Sequence, residues 1–229
     1  MATQRGGQQF IPRPEGARPG GPAPWAALSP ERRRHLTLDT VRTRLAALPT
    51  AADPVERVEG SRAAAVLVPL FEEDGEATVV LIKRPDWMPS HRGEIAFPGG
   101  KFEAGVDADL RATALREAHE EVGLDADRVE VVAQLDGIGT VASRFTITPF
   151  VGFLSGRPVL APNPSEVVRV LMVSLAELLA DEVYREEHWN LPTMDAFGVH
   201  FYELEDETVW GATARILTSF LAHLVAGDS

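Results

Sequence analysis

FPGGKFEAGVDADLRATALREAHEEVGL, residues 97–124, combines a Gly-Gly turn with a helical pattern and a cluster of acids. Pro98 restricts its own φ, and the two glycines allow a positive φ and a close approach of the backbone. Apolar residues then recur at helical spacing, at Leu110, Ala114, Leu115, Ala118 and Val122. Gly123 stands where a left-handed residue commonly ends a helix. We therefore predict a tight turn followed by a helix from about Asp107 to Val122.

Three glutamates crowd the second half of this helix. At about 100° per residue, Glu117, Glu120 and Glu121 lie within one arc of roughly 100°, away from the apolar stripe, so we expect them to face a cleft or solvent. Like charges at this spacing destabilise a helix by roughly a few tenths of a kcal/mol each. A hard divalent cation bound by these carboxylate oxygens would turn the repulsion into a stabilising interaction. The cluster therefore indicates either a metal site or a solvated acidic face.

The remaining sequence predicts an α+β fold. Residues 1–28 are rich in Gly and Pro and are expected to form a flexible or irregular tail. Residues 29–60 are expected to hold a helix, started by Ser29-Pro30 and stopped by Pro49, and a connector. Strands are predicted at 63–72, 77–84, 129–138, 147–154, 167–175 and 199–205, and further helices at 175–183 and 210–226. The first two strands are expected to form a hairpin across the EDGE turn.

Composition limits the classes of function. The chain has 229 residues, a formal net charge of −12 and no cysteine. Disulfides, zinc–thiolate sites and a cysteine nucleophile are excluded, and neither nucleic acid nor an anionic membrane is an expected partner. No transmembrane run or secretory leader is visible, so a cytoplasmic protein is expected. An anionic substrate would need a bound cation to offset the field of the protein.

REAHEEVGL, from Arg116 to Leu124, resembles the second half of the Nudix box of the Nudix hydrolase family, which follows a Gly-Gly pair and a spacer. The spacer from Gly100 to Arg116 is two residues longer than in the family pattern. Asp107 is the expected stand-in for the first acid of the box, with Glu103 and Asp109 as alternatives. The resemblance implies a Nudix-type α/β/α sandwich with a mixed sheet over residues 61–229.

The resemblance also implies a reaction, which is the metal-dependent hydrolysis of a nucleoside diphosphate linked to a group X, with Mg²⁺ or Mn²⁺ as cofactor. The implied metal ligands are Glu117, Glu120, Glu121 and the carbonyl of Gly99. Arg116 is expected to orient the carboxylates through charge-assisted hydrogen bonds. Glu120 and Glu166 are expected to take part in catalysis, Glu166 as general base or as a further ligand. The alternative for Glu166 is a loop carboxylate in water.

VVLIKRPDWMPSHRGEIAFPGGK, residues 79–101, resembles the segment that precedes the box in coenzyme A pyrophosphatases. VWGATARIL, residues 209–217, resembles the start of their last helix. Coenzyme A or an acyl derivative is thus the implied substrate, with 3′,5′-adenosine diphosphate and 4′-phosphopantetheine as products. Pro89 stands where many of these enzymes carry an arginine. The implied substrate-binding cations are Arg84, Arg92, Lys101 and Arg144, each of which could instead be a surface charge.

Other functions fit the same pattern. One is hydrolysis of another diphosphate, such as ADP-ribose, a dinucleotide or a nucleoside triphosphate. Another is a sensor that binds a nucleotide without turnover, although an intact REAHEEVGL argues against it because a sensor has no need of three mutually repelling glutamates. The resemblance to the family also implies a homodimer.

Overall fold

The computed structural model describes residues 5–48, 60–88, 90–140, 144–191 and 194–226. The predicted stop at Pro49, most of the connector after it and Pro89 lie outside the described residues. Twelve strands lie within these ranges: β1 Arg18–Pro19, β2 Arg62–Glu73, β3 Glu76–Lys83, β4 Ile95–Ala96, β5 Gly99–Lys101, β6 Val129–Gln134, β7 Ile138–Gly139, β8 Phe145–Leu154, β9 Arg169–Ser174, β10 Tyr184–Leu191, β11 Met194–Glu203 and β12 Thr208–Trp210. The α-helices of the same ranges are α1 Leu38–Ala46, α2 Leu110–Val122, α3 Leu175–Leu178 and α4 Gly211–Ala226.

A mixed eight-stranded sheet forms the centre of the fold. Its main order is β4-β3-β2-β8-β6, with β5 on β2, β7 on β8 and β9 on β3. β2 and β3 form the predicted hairpin, and its turn residues Asp74 and Gly75 have φ values of 53° and 79°. Two successive positive φ angles suit a tight hairpin turn, because their twist matches that of the strands. β2 then runs parallel to β8, in register from Arg62↔Phe145 to Leu70↔Phe153.

Helices cover both faces of this sheet, as the predicted sandwich requires. α2 buries Ala114, Ala118 and Val122 against one face of the sheet. The opposite face belongs to a larger core that includes α1, α3 and α4, whose Phe220 and Leu221 are fully buried. Successive residues of a strand point to opposite faces, so β3 contributes Val80 and Ile82 to the first core and Val79 and Leu81 to the second. In the described ranges, no helix has the length and apolar content needed to cross a bilayer.

A second sheet, of order β1-β10-β11-β12, was not predicted. The predicted helix at 175–183 is a single turn, and the chain then enters β10, whose sequence YREEHWNL lacks an apolar alternation. Its central acid, Glu187, is nevertheless buried, because it accepts hydrogen bonds from Arg13, Arg185 and Trp189. Arg185 and Trp189 lie on β10 itself, but Arg13 is 174 residues away, and a contact at that distance cannot be recognised in the strand's own sequence.

The N-terminal part of the chain packs on the domain. Trp25 is 1% exposed, and its indole N–H donates to the carbonyl of Leu179 at 3.1 Å. Residues 5–28 are mostly irregular, apart from the two-residue strand β1. The predicted helix of residues 29–48 is interrupted: a 3₁₀ helix spans Pro30–Arg33, and α1 begins only at Leu38. The break lies at His35, whose φ of 58° cannot continue a right-handed helix.

Candidate active site

The helix of the acidic cluster begins and ends through local caps. Asp109 precedes α2, and its side chain accepts the N–H of Ala112 at 2.7 Å, so the helix starts three residues later than predicted. At the other end Gly123 has a φ of 69°, and its N–H donates to the carbonyl of His119. The predicted C-terminal glycine is confirmed. These caps fix which turn of α2 carries the glutamates.

Glu121 lies inside the protein rather than on an open face. It is 1% exposed, and its Oε2 accepts the backbone N–H of Gly99 at 3.0 Å. Its Oε1 accepts a long hydrogen bond from Nη1 of Arg84 at 3.4 Å. Burial raises the pKa of Glu121 to about 8, and the negative charges of Glu117 and Glu166 add to the rise, whereas Gly99 and Arg84 oppose it. A carboxylate of this kind favours a positive partner.

Glu117 and Glu120 are progressively more open to solvent. Their side chains are 14% and 52% exposed. Burial raises the pKa of Glu117, and the neighbouring Arg116 opposes that rise. The expectation that all three glutamates face a cleft or solvent therefore holds for Glu120 but not for Glu121. The structure instead arranges them along a gradient from the interior to the surface.

Arg116 joins the carboxylates of the site. Its Nη1 donates to Oε1 of Glu117 and to Oε2 of Glu120, at 3.0 Å each. Its Nε and Nη2 donate to the two oxygens of Asp107, at 2.8 and 3.1 Å, in a fork-to-fork pair. Nη2 also reaches the carbonyl of Lys101 at 3.2 Å. The guanidinium thereby positions two of the glutamates relative to β5.

Asp107, the expected stand-in for the first acid of the box, is fully engaged. Besides Arg116 it accepts the hydroxyl of Thr113 and the N–H of Glu103, both at 2.9 Å. The hydrogen bonds from Arg116 hold its pKa well below the usual range. With both oxygens occupied, Asp107 is suited to holding Arg116 and the lengthened loop, rather than to binding a metal.

This arrangement predicts a stability effect for Asp107→Asn. Arg116 would lose the fork-shaped pair that it forms with Asp107, so we expect the metal-free protein to lose about 2–3 kcal/mol of unfolding free energy. Urea unfolding in EDTA would measure it. Asp109→Asn is the matched control, because asparagine also caps a helix well and should change stability little. A variant as stable as the control, but with weakened metal binding, would make Asp107 a metal ligand instead.

Gly99, the first of the two glycines before α2, lies between β2 and Glu121. Gly99 lies opposite Val66, between the bonded pairs formed by Leu67 with Pro98 and by Ala63 with Phe102. In such a non-hydrogen-bonded pair both the N–H and the carbonyl of Gly99 point away from β2, toward Glu121. The expected carbonyl ligand is thus directed to the same side as the Glu121 carboxylate. Neither glycine has a positive φ, so close approach rather than left-handed geometry explains them.

Glu166 lies on the loop before β9 and faces the same cluster. The N–H of Asn163 donates to the carbonyl of Glu121 at 2.9 Å, and the N–H of Glu166 donates to the carbonyl of Asn163 at 3.0 Å. These bonds tie the loop to the end of α2. Sequence reasoning missed Asn163, although Asn-Pro-Ser is a typical turn signal, and its side chain does accept the N–H of Ser165.

The four predicted cations divide into two groups. Arg84 points at Glu121, with 19% of its side chain exposed. Arg92, Lys101 and Arg144 are exposed at the surface. Arg144 precedes β8 and Lys101 ends β5, and both strands pair with the start of β2, so these two cations lie at one end of the sheet. The loop that includes Arg92 is separate, and there the Nε of Arg92 donates to the carbonyl of Met88.

The donor set fits a hard divalent cation. In the described part of the chain no three Asp, Glu or His side chains are arranged as a closed metal site. Arg84 donates to Glu121, and Arg116 donates to Glu117 and Glu120. The donors themselves are carboxylate oxygens and one backbone carbonyl, which suit Mg²⁺ or Mn²⁺. The buried Glu121, with two other negative charges near it, would be stabilised by such an ion.

Known proteins resemble the chain over this region. A family model described as NUDIX domain matches residues 61–197, more than half of the chain. Nudix hydrolase 3 of Caenorhabditis elegans is 33% identical, over 79% of this chain and 81% of its own. Peroxisomal coenzyme A diphosphatase NUDT7 of Mus musculus is 40% identical, over 70% and 67%. Chloroplastic Nudix hydrolase 22 of Arabidopsis thaliana is 41% identical over 67% of this chain, which spans 52% of that protein. The chain therefore belongs to the Nudix family.

Proposed function

We propose that this chain is a divalent-metal-dependent pyrophosphohydrolase that splits coenzyme A or an acyl-coenzyme A into 3′,5′-adenosine diphosphate and 4′-phosphopantetheine. The observation that carries the proposal is the buried carboxylate of Glu121, held by Gly99 and Arg84 and close to the charges of Glu117 and Glu166. Buried acids that repel one another are costly to stability and therefore indicate a site kept for binding or catalysis. A diphosphate substrate is the class of molecule that such a cluster handles through a metal.

The residues that would hold Mg²⁺ or Mn²⁺ are Glu117, Glu120, Glu121 and the carbonyl of Gly99. The ion would neutralise diphosphate oxygens and acidify a bound water. Arg116 keeps Glu117 and Glu120 on the same side of α2, so that the carboxylates do not spread apart. Glu166 is half-buried on a loop tied to α2, which allows it to accept a proton from water beside the cluster.

Coenzyme A is supported by the resemblance upstream of the box and by the relative named coenzyme A diphosphatase. Its diphosphate and 3′-phosphate require several cations. Arg84 is next to the carboxylates, and Arg92, Lys101 and Arg144 are exposed at the surface, where a phosphate group has access to them.

Product analysis tests the proposal. The protein would be incubated with Mg²⁺ or Mn²⁺ and coenzyme A, acetyl-coenzyme A, dephospho-coenzyme A, ADP-ribose, NADH or a nucleoside triphosphate. We expect 3′,5′-adenosine diphosphate from coenzyme A, with kcat/KM about 10–100-fold above that for dephospho-coenzyme A, because a site built around the 3′-phosphate leaves charges unpaired without it.

Two results would contradict it. Faster cleavage of ADP-ribose or a dinucleotide would keep the metal site but exclude the coenzyme A assignment. Tight binding of these compounds without any cleavage would indicate a sensor. Glu121→Gln is the control for a contaminating hydrolase, since it should remove the activity.

A cytoplasmic location stays a prediction, and the relatives carry chloroplastic, mitochondrial and peroxisomal names.

A further inference from the structure

Arg84 is poorly satisfied where it stands. Its backbone is fixed, since its N–H donates to the carbonyl of Glu94 at 3.0 Å. Its guanidinium, however, makes one long bond, from Nη1 to Glu121 at 3.4 Å, and its Nε is buried with no hydrogen-bond partner among the described residues. A guanidinium has five N–H donors in a rigid fork. This one is therefore held by charge more than by geometry.

The charge that Arg84 supplies is the charge that a metal ion would supply. Glu121 has negative neighbours in Glu117 and Glu166, and Arg84 is the cation whose field lowers its pKa. Gly99 already satisfies the other oxygen of the carboxylate. A divalent ion on Glu121 would repel a guanidinium placed 3.4 Å from the same carboxylate. Arg84 and the ion thus compete for one oxygen.

We propose that Arg84 exchanges partners during the catalytic cycle. Without metal it pairs with Glu121 and compensates part of the buried negative charge. With metal bound it releases Glu121 and donates its fork, including the unpartnered Nε, to an oxygen of the substrate diphosphate, a geometry that phosphate accepts well. This inference rests on the proposed function and adds a role for Arg84 in ordering the steps: metal binding frees the group that then binds substrate.

Metal binding and substrate binding should respond to Arg84→Gln in opposite directions. Mn²⁺ affinity, measured by electron paramagnetic resonance without substrate, should rise about tenfold because a competing cation is gone. The KM for coenzyme A should rise at least about tenfold, with a smaller change in kcat, because the lost contact is to bound substrate. Arg84→Lys keeps the charge but not the fork, so its Mn²⁺ affinity should stay near wild type while its KM rises.

Arg111→Gln is the matched control, because Arg111 is an exposed arginine on the first turn of the same helix as the glutamates. Arg111→Gln changes the net charge by the same amount as Arg84→Gln. It therefore measures how much Mn²⁺ binding increases merely because the protein is more negative. Weaker or unchanged Mn²⁺ binding in Arg84→Gln, relative to Arg111→Gln, would overturn the exchange and leave Arg84 as a support for Glu121. Arg84→Lys provides the KM test if Arg84→Gln fails to fold.

The two proposals can fail separately. If wild-type protein binds Mn²⁺ and hydrolyses a diphosphate, but Arg84→Gln does not bind Mn²⁺ more tightly, only the exchange is wrong. If Glu121→Gln binds Mn²⁺ as wild type does, the metal assignment is wrong and the exchange falls with it. Tighter Mn²⁺ binding together with a raised KM in Arg84→Gln would support both.

Discussion

Glu121→Gln should lower kcat on the proposed diphosphate substrate by about 1,000-fold or more, because loss of this buried carboxylate, the proposed metal ligand, would remove several kcal/mol of transition-state stabilisation. Glutamine has nearly the same shape and can still accept the N–H of Gly99, so the fold should persist. Steady-state kinetics with Mg²⁺ and circular dichroism would measure the two effects. Near-normal activity in a folded variant would remove Glu121 from the metal site.

The same substitution should change how stability depends on pH. Burial raises the pKa of Glu121 from its usual 4.5 to about 8, so between these values the folded protein holds a proton that the unfolded chain has released. Stability therefore falls as pH rises through this window, by on the order of 2–4 kcal/mol in total. Below pH 4.5 both states are protonated and the cost vanishes; above pH 8 it is constant.

Urea unfolding in EDTA from pH 5 to 8.5 would show this slope, and Glu121→Gln should remove it. Glu120→Gln is the matched control: it makes the same chemical change one residue earlier, at a side chain that is 52% exposed, and should leave the slope in place. An unchanged slope in Glu121→Gln would mean that Glu121 is already ionised in the folded protein at neutral pH.

Alanine at the two neighbouring glycines should damage different properties. A Cβ at Gly99 would lie 2.4 Å from the carbonyl oxygen of Ala65 and 2.6 Å from Cα of Val66. Both atoms belong to the backbone of β2, which cannot move without disturbing its pairing with β8. We expect Gly99→Ala to cost about 3 kcal/mol of unfolding free energy, the upper range for overpacking.

A Cβ at Gly100 would instead lie 2.2 Å from Oε1 of Glu117, the end of a flexible side chain. Glu117 can rotate away, so Gly100→Ala should cost less than about 1 kcal/mol in stability. Displacing the carboxylate by about 1 Å should nevertheless lower kcat/KM about 100-fold. Each variant is the control for the other, in urea unfolding and in kinetics. Normal activity in Gly100→Ala would exclude Glu117 as a ligand.

Several features of the site could be predicted because they depend on neighbours along the chain. The apolar spacing of α2, its end at Gly123 and the hairpin turn at Asp74-Gly75 follow from local backbone geometry. The REAHEEVGL pattern led to the family by the same route. The Gly-Gly pair was correctly taken as a place of close approach, but the predicted tight turn was wrong, since both residues lie in β5 and neither uses the positive φ that glycine allows.

Other features needed residues far apart in sequence. The strand β10 lacks an apolar alternation, and its buried Glu187 is paired in part with Arg13, 174 residues away, as well as with the neighbouring Arg185. The indole of the buried Trp25 donates to the carbonyl of Leu179, and nothing in the Gly- and Pro-rich sequence around Trp25 indicates this contact. Sequence spacing also put Glu121 on an open face, whereas the packing of α2 against β2 and β5 buries it.

By itself, the sequence determined which residues share α2 and where that helix ends, because helical spacing and capping act within a few residues. Its REAHEEVGL motif also indicated the family to which the chain belongs. The tertiary structure decided what each charge faces. It paired Asp107 with Arg116, Arg84 with Glu121 and Gly100 with Glu117. Charges act through space, so the strength of each acid depends on burial and on partners that only the packed sheet and helix bring together.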